Sequence, residues 1–330
     1  MHEGLAERSA GKGRMQGSQE QTESKIGQLM RRYCRRSVER FAEAVVGATA
    51  WNKRMRRTML RKLCADYLDP SAIGLVEFED HAFFVSLRDQ TIGFELLSGK
   101  PWQRQELTKA IALLERAGAL KLGAKFVDVG ANIGTQTVYA MLSERFSGAV
   151  AIEAEPSNFA LLERNIEHNG LSDRVQAIHA AACAKSSMVE LRVNRRNGGG
   201  HSVHKGQIRS PADLLQVRGD TVDTMLLGAG VGADEIGMVW IDVEGLERDV
   251  LAGMAEVRRA RVPVMFEYTA ALHQAGDWEA LRDMLCQTYT TCVEVRVEGK
   301  LAHRAFQDLA QFPMPTGQAD LLVFQEQRAP

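Results

Sequence analysis

The residues best placed to do chemistry are acidic side chains that stand where apolar runs end. The first is Asp128, in the stretch Phe126-Val127-Asp128-Val129-Gly130-Ala131-Asn132-Ile133-Gly134-Thr135. Here a buried strand runs into a glycine turn and then directly into a helix. Glycines let the backbone pass close to a ligand in conformations closed to other residues. The helix start aims N–H groups at the same point, so a nucleotide or an amino-acid carboxylate fits there. A dinucleotide site takes G-x-G-x-x-G, whereas this turn reads Gly130-x-x-x-Gly134 with Asn132 in the middle. A carboxylate at Asp128 would also repel a diphosphate by about 1 kcal/mol or more at partial exposure. The same carboxylate suits a cationic, hydroxylated ligand. S-adenosylmethionine carries an ammonium, a sulfonium and a ribose diol, and no phosphate, so it is the better match.

Glu153 closes the next apolar run, 19 residues after Gly134. An acidic side chain at that point reaches ribose hydroxyls as a two-oxygen acceptor; the plainer alternative is a solvated strand end. The third anchor is Val239-Trp240-Ile241-Asp242-Val243-Glu244-Gly245-Leu246-Glu247. Strand alternation predicts Asp242 and Glu244 on one side of the chain, at the carboxyl end of a strand where a ligand crevice opens. Two carboxylates there position the donor, orient a substrate hydroxyl or accept its proton. Glu247 reads as an ordinary first-turn acid favoured by the helix dipole. Glu267 is a further pocket candidate, with a solvated edge residue as its rival reading. His201 and His204 follow three glycines. Two histidines fall short of the ligand count of a metal site, so no metal is expected. A solvent-exposed loop is the plainest reading, and a substrate-gating loop with one histidine as general base is the next.

The elements that must hold these residues follow a strand–helix rhythm. Strands are predicted at Lys125–Val129, Ala149–Glu153, Val175–Ala181, Met238–Val243, Val262–Tyr268, Val293–Val297 and Leu321–Phe324. Helices are predicted over Gly134–Arg145, from an N-cap at Ser157 to His168, over Leu246–Arg258 and over Asp277–Gln287. Alternating βαβ units imply a mostly parallel sheet covered on both faces, with ligands at the carboxyl ends of its strands. Before this domain, Gly74–Leu97 alternates like short antiparallel strands, and Gln103–Ala117 reads as a helix. The expected organisation is a disordered tail at 1–24, a basic helical arm at 25–70, a strand and helix extension at 71–120 and a catalytic domain at 121–330.

Composition limits the alternatives. The chain has 330 residues, 45% hydrophobic and 25% charged, with a net charge of −1, the values of an ordinary globular protein. The charge is unevenly placed: residues 25–64 hold twelve basic residues against Glu39 and Glu43, which leaves −11 for the remainder. Two Arg/Lys clusters around an apolar centre suit a solvated helix face or an interfacial helix touching anionic lipid. Aromatics among those charges are few (Tyr33, Phe41, Trp51), so base stacking has little support and no nucleic-acid partner is expected. Five cysteines without CxxC spacing suit a reducing cytosol. The first 24 residues lack the apolar run of a signal peptide, so a cytoplasmic location is expected, with peripheral membrane contact through the basic arm as an option.

Together the segments FVDVGANIGT, AIEAEPSNFALLERNIEHNG and WIDVEGLERDVLAGM resemble the FkbM family of methyltransferases. The likeness runs from about Leu96 to Phe324. It implies a Rossmann-like class I methyltransferase fold, with a mostly parallel seven-stranded sheet and helices on both faces. It also implies S-adenosylmethionine as donor and O-methylation of a hydroxyl on a sugar, a glycolipid or polysaccharide precursor, or a secondary metabolite. By matching position, Asp128, Gly130, Asn132 and Gly134 would line the donor loop, Glu153 the ribose, and Asp242 and Glu244 the reaction centre. Two positions depart from the family pattern: Ala154 replaces its frequent proline, and Trp240 replaces its usual lysine. Two rival readings stay open. An RNA or protein methyltransferase would share the donor site and use the basic arm as its substrate surface. A non-catalytic nucleotide-binding protein on the same fold would keep the donor residues without turnover.

Overall fold

Alternate residues of the central strands go to opposite sides of one sheet, and each side is apolar, so the sheet must be covered twice. The computed structural model describes residues 61, 66–69, 71–193, 213–295 and 307–326. The chain divides into two compact units, Met1–Leu63 and Cys64–Pro330, and every element below belongs to the second. The expected tail at 1–24, most of the basic arm at 25–70, and His201 and His204 lie outside the described residues.

The elements run, in order, β1 (Ile73–Glu77), β2 (Ala82–Ser86), α1 (Ile92–Leu97), α2 (Arg104–Arg116), β3 (Lys125–Val129), α3 (Thr135–Leu142), β4 (Gly148–Glu153), α4 (Pro156–His168), β5 (Val175–His179), β6 (Ala181–Ala182), β7 (Ser187–Val193), β8 (Asp213–Asp220), α5 (Val222–Gly228), β9 (Ile236–Ile241), α6 (Glu247–Ala252), α7 (Ala255–Arg259), β10 (Val264–Thr269), α8 (Asp277–Cys286), β11 (Thr291–Val295), β12 (Gln307–Asp308) and β13 (Gln318–Phe324). The main sheet has the order β12-β11-β13-β10-β9-β3-β4-β5. Strands β5, β4, β3, β9 and β10 are mutually parallel, and β13 runs antiparallel between β10 and β11. This is the expected Rossmann-like methyltransferase fold, its seven strands joined by a two-residue eighth, β12.

One face of the sheet carries Phe126, Trp240, Met265 and Leu322, packed with Leu107, Met141 and Leu162 from α2, α3 and α4. The other carries Val127, Val239, Phe266 and Val323, packed with Met225, Leu251 and Leu285 from α5, α6 and α8. Fully burying one such side chain is worth about 1.5–3 kcal/mol, so these two layers fix the register in which the acidic strand ends are presented. Among the described residues no helix is long and apolar enough to cross a membrane.

Several predicted boundaries move. The predicted strand at Val175–Ala181 breaks at Ala180: β5 stops at His179, and Ala181–Ala182 pairs with β8 in a separate three-stranded sheet of order β6-β8-β7. The N-cap of α4 is Glu155, not Ser157; its carboxylate accepts from Asn158 N at 2.6 Å, and Pro156 takes the first helical position, where its missing N–H costs nothing. The single helix predicted over Leu246–Arg258 is two, α6 and α7, broken at Gly253. A Cβ there would lie 2.4 Å from the carbonyl oxygen of Cys183, so the backbone must pass bare.

The β1–β2 hairpin is held by amides rather than by a third strand. Along the edge of β2 away from β1, Asn169 accepts from Ala82 N (3.0 Å) and donates to Ala82 O (2.8 Å). One helical turn earlier, Asn165 accepts from Phe84 N (2.6 Å) and donates to Phe84 O (3.2 Å) and to Ile133 O (2.8 Å). Arg104 also reaches back from α2 to Asp80 in the hairpin turn, with nitrogens 3.0 and 2.5 Å from the two carboxylate oxygens.

Candidate active site

The turn between β3 and α3 takes left-handed backbone at Gly130 (φ 82°), Asn132 (φ 52°) and Gly134 (φ 88°). Its amides are spent inside the protein. Gly130 N and Ala131 N both donate to Ile152 O at 2.9 Å. Asn132 N donates to Glu153 Oε2 (2.8 Å), Ile133 N to Asn132 Oδ1 (2.9 Å) and Gly134 N to Ala131 O (2.7 Å). The N–H groups that the sequence reading places at this point are therefore those of the first turn of α3, which starts at Thr135, and not those of residues 130–134. A diphosphate, which needs such donors, finds none at residues 130–134.

What the turn and its neighbours present instead is carboxylate. A cleft of about 740 Å³, partly open to solvent, is lined by Gly130, Asn132, Glu153, Asp242 and Glu244 among others. Trp102, Gln136 and Ala180–Ala182 also line it, and no lysine, arginine or histidine does so among the described residues. Glu153, 7% exposed, accepts from Asn132 N and from Glu155 N (2.7 Å). Those bonds favour its ionised form, but burial outweighs them and pushes its carboxyl up to about 7.

Two predicted donor-loop residues do not line the cleft. Asp128 is 1% exposed and accepts from Thr137 Oγ1 at 2.5 Å. Burial pushes its carboxyl up to about 7 against that hydrogen bond. Its partner in the parallel register with β9 is Trp240, the residue that stands where the resembling family has lysine. Trp240 belongs to the core and is 3% exposed, so no cation from that position offsets the Asp128 carboxyl. Gly134 is the N-cap of α3 and meets Leu162, whose Cδ1 would be 2.7 Å from an added Cβ. It shapes the turn from behind.

Asp242 and Glu244 reach the cleft by a route different from the predicted one. The strand ends at Ile241, so alternation does not govern them. Asp242 N still donates to Val129 O at 2.9 Å. The chain then turns through left-handed Glu244 (φ 52°) and Gly245 (φ 92°), which puts both carboxylates into the cleft wall. Behind them stand two further acids. Glu267 pairs with Asp320 across β10 and β13, and Phe266 pairs with Ile241, so Asp242, Glu267 and Asp320 form a row over three neighbouring strands. Burial, followed by repulsion from Glu267, holds Asp242 well above the usual carboxylate range. The same causes push Glu244 up to about 7 and Asp320 up to about 8. Burial likewise raises Glu267, against hydrogen bonds from Gln318 and Thr269. Such a row is costly while empty and favours a ligand that brings positive charge.

Two features escaped the sequence reading. Glu247 is the first-turn acid expected, at the start of α6, but it is buried at 2% exposure: its Oε1 accepts from Gly245 N (3.0 Å) and its Oε2 lies 3.1 Å from His273 Nε2. Gln136 in the cleft wall donates to Gln103 at 2.6 Å. Neither Gln103 nor His273 stands near a motif, so only the fold brings them in. Among the described residues no group of three or more histidine, cysteine or acidic side chains is placed to hold a metal.

Residues 128–289 match the family model described as the methyltransferase FkbM domain. Solved structures similar to this chain include an FkbM methyltransferase from Methylobacillus flagellatus KT, at 16% identity and TM-score 0.38, covering 82% of this chain and 59% of that one. The tRNA methyltransferase TrmK of B. subtilis aligns at 14% identity and TM-score 0.35, covering 68% of this chain and 66% of that one. TYW2 of P. horikoshii, solved in complex with MeSAdo, aligns at 12% identity and TM-score 0.34, covering 77% and 72%. This chain spans less than two thirds of the length of the first two. At such overlap the likeness says nothing of substrate. No curated protein matches the chain.

Proposed function

We propose that this chain, which belongs to the FkbM methyltransferase family, uses S-adenosylmethionine to methylate a hydroxyl of a sugar, a glycolipid or polysaccharide precursor, or a secondary metabolite. The observation that carries the donor assignment is the cleft itself. Its turn has no free amides for phosphate, and Glu153, Asp242 and Glu244 face a space with no cation in its described walls. A ligand with a sulfonium, an ammonium and a ribose diol complements that lining, whereas a diphosphate opposes it.

When bound, S-adenosylmethionine supplies an electrophilic methyl group on sulfur. The protein's part is to hold the acceptor oxygen in line with that carbon and to receive the hydroxyl proton. Glu153 holds the ribose end through lone pairs left over from Asn132 N and Glu155 N. Asp242 or Glu244 takes the proton from the acceptor hydroxyl. Burial has raised both toward neutrality, which gives them basicity that an exposed carboxylate lacks.

Isothermal titration calorimetry tests the donor. Micromolar binding of S-adenosylmethionine, no binding of NADH, and a loss of affinity in Glu153→Ala and Asp242→Asn are the expected results. A folded protein that ignores S-adenosylmethionine sinks the reading. Co-sedimentation of the full chain with neutral and anionic vesicles tests the lipid contact proposed for the basic arm.

A further inference from the structure

We propose that His273 is a positioning residue for this site and acts through Glu247. The inference rests on the reading of the cleft as a methyl-transfer site, and it assigns a role to a residue outside the cleft wall. The loop that carries Asp242 and Glu244 is difficult to hold. Glu244 sits at φ 52° and Gly245 at φ 92°, and a left-handed step at a residue with a Cβ persists only when its surroundings impose it. Glu247 imposes it from below, with Oε1 accepting from Gly245 N at 3.0 Å.

The orientation of the Glu247 carboxyl must in turn be fixed. Its second oxygen lies 3.1 Å from His273 Nε2, and the two side chains are 2% and 4% exposed. Neither atom makes an aligned hydrogen bond with any described residue, the other of the pair included, so this 3.1 Å contact is the nearest polar compensation that either finds for its burial. The imidazole is itself held flat against Tyr268, with centroids 4.3 Å apart and planes within 4°. Tyr268 follows Glu267 on β10 and is edge-on to Trp278 of α8. A chain of contacts therefore runs from the core under α8, through Tyr268, His273 and Glu247, to the backbone of Gly245. The helix dipole alone does not explain an acid at 247 buried to this degree. A clamp on the loop does.

Two substitutions separate the polar contact from the ring stack. His273→Phe keeps the stack on Tyr268 and loses the polar ring nitrogen beside Glu247; His273→Gln keeps a polar group there and loses the stack. If His273 positions Glu247, His273→Phe weakens S-adenosylmethionine binding by about tenfold and His273→Gln by much less. The losses from His273→Phe and Glu247→Gln should then fall short of additive in the double variant. Equal affinity in wild type and a folded His273→Phe, or additive losses, overturns the proposal. A readout independent of the donor is the hydrogen exchange of the Gly245 amide in the ligand-free protein, followed by NMR. It should accelerate in His273→Phe and recover in His273→Gln. A wild type that fails to bind S-adenosylmethionine would sink the functional reading while Gly245 exchange still decides the clamp, with unchanged exchange in His273→Phe counting against it. Should His273→Phe not fold, His273→Gln and Glu247→Gln decide by the same measurement: slow exchange retained in the first and lost in the second supports the clamp, and any other pattern overturns it.

Discussion

Gly130 runs so close to Asp242 that a Cβ built on the glycine would lie 1.9 Å from the aspartate's carbonyl oxygen. The donor turn and the acidic loop are thus in backbone contact, and neither can shift without the other. Gly130 also has φ 82°, so a side chain is excluded by conformation as well as by space.

Gly130→Ala is accordingly expected to remove measurable binding of S-adenosylmethionine and to cost about 2–4 kcal/mol of stability. Urea unfolding and calorimetry on the same preparation check both. A variant that binds like the wild type would show that the two segments do not form one site.

Asn165 is fully buried and bonds to the backbone of both Phe84 and Ile133. Truncation to alanine leaves those buried groups unpaired, at about 2–3 kcal/mol in all. Urea denaturation should show this as a lower midpoint. Donor affinity should fall too, because Ile133 belongs to the turn.

Much of this arrangement is legible in the sequence, for physical reasons. Strand ends at Val129 and Glu153 show because an apolar run of the right length stops at a glycine or an acid. The turn shows because Gly130 and Gly134 stand where backbone approach demands no side chain. The directions of Asp242 and Glu244 are not legible, since β9 ends at Ile241 and an irregular left-handed step replaces alternation. The pairing of Glu247 with His273 is also invisible, because it joins segments far apart in the chain that only the packing of Tyr268 and Trp278 brings together. The burial of Asp128 follows from its pairing with Trp240 in the middle of the sheet, a neighbour that spacing along one strand does not reveal.

Ligand binding should be linked to protons. In the free protein Glu153 and Glu244 sit near 7, so each is partly protonated at neutral pH. A cationic ligand favours the ionised forms, lowers both values and expels protons. Affinity for S-adenosylmethionine should therefore rise as pH increases from 6 to 8, with release on the order of one proton near pH 7. Calorimetry in buffers of different ionisation enthalpy measures this directly; a binding heat independent of buffer would contradict it.

The ligand-free fold should lose stability over a related range. Asp320 sits at about 8 when folded, against about 3.9 for an unfolded aspartate. The folded state therefore binds the proton more tightly. Its contribution is complete below about pH 4 and is lost as pH rises through about 8. Thermal melts should show a midpoint that falls from pH 6 to pH 9. Asp320→Asn should flatten that fall and raise the midpoint at pH 9 by roughly 2–4 °C. An unaltered slope would mean that Asp320 does not hold the extra proton in the folded state.

Asn165 of α4 and Asn169, which caps its carboxyl end, have one more effect, which concerns other molecules rather than this fold. A two-stranded ribbon such as β1–β2 ordinarily displays a free row of N–H and C=O groups along each side, and such a row invites a strand from another chain. On β2 the outward groups of Ala82 and Phe84 are already matched by carboxamides that act as a strand made of side chains. Two side chains one helical turn apart thus close an edge that would otherwise be a template for self-association.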